Sequence, residues 1–319
     1  MRGATPKQLV PGLMGVLGQN YKAVEAEHQY IFETQTSSRS YEEEVMTSGF
    51  GLAAIKPEGG NFNYDTMEET WTARYTHETV ALGFMITEEA VEDNLYENYA
   101  NKGAKALGKS MAETKQIKAA SVLNLAFTAG VNGGDGQPLC STTHPTKAGS
   151  YSNRVSQDIS EVSLEAATIA INKWQDERGL LIDVMPKSLH LPVESQFDIE
   201  RILKSTLRPT VIVTNATASG AAGADGPATG RVGVTNSNEV NALKNLGFFD
   251  TIRIHRRFTD NDCWFIKTSV SDGLKHFVRR KATVKTDGDF QTGNSLMKMT
   301  ERYSFGWSDP RQIYGSQGA

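Results

Sequence analysis

Cys140 and His144 lie four residues apart, a spacing that sets two metal ligands on one face of a helix turn. Pro138, Pro145 and Gly149 place the pair on a loop instead, and no second cysteine pair completes a zinc set, so a structural loop is the better reading. Asp287-Gly-Asp289 and Gly134-Asp135-Gly136 have the acidic-glycine character of calcium loops. Neither continues with the spaced oxygen ligands and closing glutamate that a calcium loop needs, and both read as turns. The six histidines, at 28, 77, 144, 190, 255 and 276, are scattered. There is no GxSxG elbow, no GxxxxGK[ST] phosphate loop, no HExxH and no GxGxxG. Arg253, Arg256, Arg257 and Lys275, Arg279, Arg280, Lys281 lie near aromatic residues and could touch phosphates, but read first as solvated or subunit-contact charges. No catalytic residue, metal or cofactor is expected; the runner-up from another class is a cytosolic metal-dependent hydrolase built on Cys140 and His144.

The chain that must position these residues has 319 residues, 39% hydrophobic and 22% charged, with 29 glycines and a net charge of −4. That is ordinary globular composition, and mild acidity argues against a dedicated nucleic-acid binder. Two distant cysteines fit a reducing compartment. No apolar run approaches the ~20 residues of a membrane helix, and the N-terminus lacks signal-peptide character.

Residues 1–34 read as an arm, a Pro/Gly-punctuated start followed by a short helix over 19–32. From 34 to 87 the pattern is strand, glycine-rich turn, strand. In the returning strand Trp71, Ala73, Tyr75, His77 and Thr79 alternate with Thr72, Arg74, Thr76 and Glu78. The two flanks predict a long antiparallel hairpin whose tip of about 20 residues is uncommon inside a compact domain. Thr87 then caps a helix over about 87–128, with Glu88 and Glu89 in its first turn. Its apolar stripe runs through Val91, Leu95, Tyr99, Leu107, Met111, Ile117, Ser121 and Leu125, and at 1.5 Å per residue it makes a rod of roughly 60 Å. Gly103 and Gly108 are candidate kinks. A loop at 130–153 follows, then helices over 160–176, 194–206 and 237–245 and strands near 188–191, 248–258 and 263–268. The small-residue stretch at 214–236 reads as a loop. Two further strands flank DGDFQTGN (287–294).

This order of elements resembles the Hong Kong 97 capsid fold. The stretch YEEEVMTSGFGLAAIKPEGGNFNYDTMEETWTARYTHETVALGFMITEEAVEDNLY (41–96) resembles the major head subunits of Mu-like and related tailed phages. GDGQPLCSTTHP (134–145) is similar to the loop after their long helix, and ERYSFGWSDPRQIYG (301–315) to their closing strand and tail. The resemblance implies an α+β Hong Kong 97-type fold with an N-terminal arm (1–34), an extended β-hairpin loop (35–80), a peripheral domain (81–154) with its spine helix at about 87–128, an axial domain (155–270), and peripheral closing strands and tail (271–319). It implies a major capsid protein that self-assembles into pentamers and hexamers of an icosahedral shell around double-stranded DNA, in the virion and assembled in the bacterial cytoplasm. The implied partners are further copies of the chain, a separate scaffolding protein (no long scaffolding segment precedes the arm), a portal, non-specifically contacted DNA and a decoration protein. Inter-subunit contact is assigned to Phe50, Lys56, Glu58 and Tyr64 at the loop tip. Some members of the fold form a Lys–Asn crosslink; Lys56 sits near the tip, but no partner asparagine or glutamate is assigned and no crosslink is predicted. An encapsulin-like nanocompartment shell is the alternative within the fold.

Overall fold

The computed structural model describes residues 5–89, 96–205, 207–214, 233–249, 251–289 and 291–319. The arm is more helical than its composition suggests. Helix α1 (Thr5–Ala23) runs straight through Pro11 and Gly12, and a single turn, α2 (His28–Ile31), replaces the rest of the expected 19–32 helix. Proline and glycine inside a helix cost free energy locally, so packing must hold α1. It does: Leu17 is buried with Ala104, Leu107 and Met111 of α3 (Tyr96–Asn124).

Helix α3 spans 29 residues, about 43 Å. Of the expected helix, 88–89 is helical, 90–95 lies outside the described residues, and the C-terminal end falls at Asn124 rather than 128. Its buried stripe follows Ala100, Ala104, Leu107, Met111, Ala119 and Leu123, while Ile117 is 54% and Leu125 42% exposed. Ile117 is six residues beyond Met111, so it sits about 120° round the helix from it. The expected stripe therefore left the true one after Met111. Neither glycine breaks α3, which is one continuous helix through both. A Cβ at Gly108 would stand 2.7 Å from the Leu17 carbonyl oxygen, and one at Gly103 would stand 2.9 Å from the Phe84 ring. They are crossing points where α1 and a strand approach the helix. Gly108→Val is expected to push α1 off and lower stability by about 1–3 kcal/mol; a urea melt, together with protease cleavage within α1, measures it.

Four strands lie in the order β1 (Glu33–Thr36), β13 (Leu274–Gly288), β14 (Ser295–Trp307), β4 (Glu78–Ile86). One face of this sheet packs under α1 and α3 through Ile86, Met297 and Met299. β2 (Tyr41–Thr47) and β3 (Glu69–Thr76) form the expected antiparallel hairpin, in register from Tyr41 opposite Thr76 to Val45 opposite Thr72, after which the register shifts and Thr47 lies opposite Glu69. Ala73, Tyr75 and His77 are buried, as the alternation required, and Tyr75 meets Phe277 edge to face at 4.8 Å. The pattern stops there. Thr79 is exposed, because the chain has crossed into β4 and a different sheet.

A second sheet has the order β11 (Thr251–His255), β8 (Pro186–Pro192), β12 (Trp264–Thr268), β15 (Ile313–Ser316), β7 (Arg154–Val155). Helices α4 (Glu161–Asn172), α5 (Gln196–Lys204) and α6 (Ala242–Leu246) accompany it, and Leu164, Ile171, Trp174, Ile199 and Trp264 form its core. Ser160 caps α4, its side chain accepting from the Ser163 N–H while the Ser163 hydroxyl accepts from the Ser160 N–H. Two expectations change in this region. The 237–245 helix is shorter, since β10 (Gly233–Val240) pairs with β9 (Leu207–Thr214). Of the expected 214–236 loop, 215–232 lies outside the described residues and the flanks are strand. The tail also divides: β13 and β14 close the four-stranded sheet, but β15 inserts between β12 and β7. The last strand thus belongs to the second sheet, where Ile313 and Tyr314 find burial.

Candidate functional site

The hairpin tip, residues 48–68, contains one tight turn, closed by the Gly60 N–H on the Pro57 carbonyl at 3.0 Å. Phe50, Lys56, Glu58 and Tyr64 all lie on it and all are exposed, Tyr64 to 94%. Leu52 (86%), Ile55 (97%) and Phe62 stand out beside them, and Lys56 lies over the Phe62 ring at 4.4 Å. The sequence reading passed over these three; the signal was large apolar residues within a Gly/Pro-rich loop. So much apolar surface on one short segment marks an interaction site.

The base of the tip is tied down. Asp65 accepts from the Gly51 N–H (2.8 Å) and the Thr66 N–H (2.9 Å) and pairs with Arg178 at 3.2 Å. Those two amides, with Arg178, hold its carboxyl below the usual carboxylate range. Lys147 pairs with Glu68. The tip therefore leaves its own subunit in a set direction.

The residues that suggested chemistry serve the scaffold instead. His144 Nδ1 faces Asp135 at 2.6 Å and its Nε2 faces Asn153 Oδ1 at 3.0 Å, so both ring nitrogens are taken. Cys140 is fully buried among Leu139, Phe265 and Ile313, and burial pushes its thiol far up. Cys140 and Cys263 are free thiols, and among the described residues no group of three or more His, Cys, Asp or Glu could hold a metal. Asp289 caps its turn by accepting from the Gln291 N–H at 3.1 Å. His77 sits between Ser304 (3.0 Å) and Ser37 (2.9 Å), and burial, with the nearby Arg302, lowers its pKa.

Two buried polar nodes were missed altogether. Asn153 Nδ2 donates to the carbonyls of Leu139 (2.8 Å), Pro310 and Ile313 (both 3.0 Å), joining the 134–145 loop to the tail. Beside it Arg311 pairs with Glu177 at 2.7 Å and Asp309 at 3.5 Å, over the Tyr151 ring. Burial raises the Asp309 pKa and outweighs the neighbouring guanidinium. In the second node Glu27 of the arm meets Arg257 (2.7 Å) and His255 (3.6 Å), and Arg257 also grips Glu113 of α3 at 2.7 Å. Arg257 and Lys275, which pairs with Glu44 and Asp272, are thereby engaged within the subunit rather than open to phosphates.

An arm helix, a glycine-tipped extended hairpin, a long helix on a four-stranded sheet and a separate five-stranded sheet with helices together make the Hong Kong 97-type capsid fold. The sequence profile of the phage capsid protein family matches residues 69–316, most of the chain. The chain belongs to that family, and is a structural protein of a phage capsid. Solved structures agree on the fold at low identity. That of Mycobacterium phage Patience aligns with a TM-score of 0.54 at 11% identity, covering 97% of this chain and 86% of that one. A virus-like particle from Pyrococcus furiosus aligns with a TM-score of 0.53 at 9% identity, covering 96% and 98%. The capsid of cyanophage P-SCSP1u aligns with a TM-score of 0.50 at 10% identity, covering 90% and 86%. A comparison with curated proteins found no match.

Proposed function

We propose that the chain is the major capsid subunit of a tailed phage, gathering into pentamers and hexamers of an icosahedral shell around double-stranded DNA. The observation that carries the arrangement is the exposed apolar tip of the β2–β3 hairpin, which its own subunit does not cover. In this reading each tip lies across a neighbouring copy, a heterologous contact that closes when repeated round an axis. Surface ion pairs contribute only ~0–1 kcal/mol each, so adhesion comes from tip and arm burial in many copies. A separate scaffolding protein, a portal, a decoration protein and non-specifically held DNA are the partners this role implies, with assembly in the host cytoplasm.

A cysteine replacing Tyr64 tests the arrangement, since both native thiols are buried. Short bifunctional thiol crosslinkers aimed at Tyr64→Cys and a second cysteine on the neighbour's exposed surface are expected to give inter-subunit ladders in particles and none in dilute subunit. Crosslinks confined within one subunit would contradict it.

The second reading is a shell of the same fold that encloses a protein cargo instead of a genome. Particles lacking DNA and carrying a stoichiometric cargo protein would support it.

A further inference from the structure

Four of the six histidines, scattered in the sequence, meet at one stretch of the arm, residues 27–31, and all four are buried. His28 of α2 meets the His276 ring of β13 edge to face at 5.1 Å, and its Nδ1 lies 2.9 Å from the Gln116 side chain of α3. His276 bonds Thr34 of β1 through Nδ1 at 3.2 Å; its Nε2 is buried with no hydrogen-bond partner among the described residues. On the other side Glu27 faces His255 of β11 at 3.6 Å, and His255 Nε2 faces His190 Nδ1 of β8 at 2.8 Å. His190 in turn bonds Ser188 at 2.9 Å. The arm backbone rests on Lys267 of β12, whose ammonium donates to the Tyr30 and Ile31 carbonyls at 3.3 and 2.8 Å. Arg253 lies over the Tyr30 ring at 3.9 Å.

This seat has no place for added protons. The 2.8 Å between two imidazole nitrogens holds one hydrogen, and a second would set N–H against N–H. A proton on His276 Nε2 would create a buried donor with no acceptor. The neighbouring charges oppose protonation as well. His255, Lys267 and Arg253 act on His190, Lys187 lies near Lys267, and Lys115 acts on both His28 and His276. The nearby carboxylates are already engaged: Glu27 with Arg257 and His255, Glu113 with Arg257, and Glu301 with Lys115 at 2.9 Å. Glu33 acts on Lys267, and Glu25 accepts from the Tyr30 hydroxyl at 3.4 Å. Burial first, and these neighbours second, lower the pKa of His28, His190 and His276, that of His276 to about 3.

We propose that the seat is a latch that acid opens: protons taken up by His28, His190 and His276 lift residues 27–31 off the two sheets, and both sheets stay folded. The latch belongs to the single subunit and is independent of any shell. A histidine whose pKa is lowered in place takes its proton more readily once released. Seating is therefore at full strength above about pH 6.5 and weakens as pH falls below that value. Each such histidine changes the ratio of released to seated arm by up to about tenfold per pH unit, so three acting together open steeply. Glu27 contributes later: burial works against its charge, yet its bonds to His255 and Arg257 lower its pKa, so its hold is lost only in stronger acid. The second sheet does not need the stretch, since Leu164, Trp174 and Trp264 pack together without it.

Both native thiols are buried, and Gln29 is exposed in the middle of the stretch. A maleimide fluorophore on Gln29→Cys therefore reports arm mobility by its anisotropy. Tryptophan emission, to which the buried Trp174 and Trp264 contribute, reports the sheet core. In the dilute full-length subunit, acidification from about pH 8 to about 4 is expected to lower the anisotropy with a midpoint of about 5, coupled to more than one proton. Tryptophan emission should hold through that transition. His28→Gln and His276→Gln, each made in the labelled subunit, should each reduce the coupling by about one proton. Where a variant is misfolded at about pH 8, imidazole proton resonances of the parent decide instead: those of His28, His190 and His276 should titrate together with the anisotropy change. Anisotropy that falls only along with tryptophan emission would overturn the latch, as would a midpoint below about pH 4, where carboxylates take control. So would unchanged coupling in both variants, or these histidines titrating while the arm stays in place.

Discussion

A chain lacking residues 50–66 is expected to fold, remain soluble and form no shells. The segment contributes little to its own subunit. Its anchors are the Asp65 hydrogen bonds and the partly exposed Arg178–Asp65 pair, in a setting where such a pair contributes ~0–1 kcal/mol. The strands beneath it are held independently, by the β2–β3 ladder and by Tyr75 against Phe277. Melting temperature should therefore fall by only a few degrees. Assembly should be lost entirely, because Phe50, Leu52, Ile55, Phe62 and Tyr64 leave together. Burying one such side chain is worth about 1.5–3 kcal/mol, and every subunit of a shell would lose the set. Sedimentation and electron microscopy read the outcome; particles of normal size would refute the loop's role.

Arg311→Ala is expected to have the largest effect on the subunit itself, about 3–5 kcal/mol of destabilisation. The guanidinium is 2% exposed and answers two buried carboxylates, Glu177 and Asp309. Burial alone would lower the Arg311 pKa, yet the tyrosine and the two acids around it raise it, so the charge is well accommodated. Truncation strands both acids. Asp309, already raised by burial, can accept a proton, but Glu177 is left without its cation. Adding Glu177→Gln to the variant should recover part of the loss, which a purely volumetric defect would not allow. Guanidinium chloride unfolding of parent, single and double variants measures this.

The features legible in the sequence were those that local pattern determines. The period-two run from Trp71 to His77 located a strand, and DGDFQTGN located the turn between β13 and β14. Helix α1 was not legible, since Pro11 and its glycines argue against it and its support is Leu17 packed on a helix more than 80 residues away. The α3 stripe was misread beyond Met111 because its core-facing positions are largely alanines, which barely register as apolar. The Asn153 and Arg311 nodes join positions 134 to 160 residues apart, and no spacing rule reaches that far. The tip was visible as a place but not as a surface. Its site residues were chosen for position, and burial then singled out Leu52, Ile55 and Phe62.

Copies of this chain are expected to close into a shell. Negative-stain electron microscopy of the purified full-length protein, over a range of protein and salt concentrations, tests it directly. Large closed particles whose walls resolve into five- and six-fold clusters are expected. Monomers or small oligomers at every concentration would contradict it.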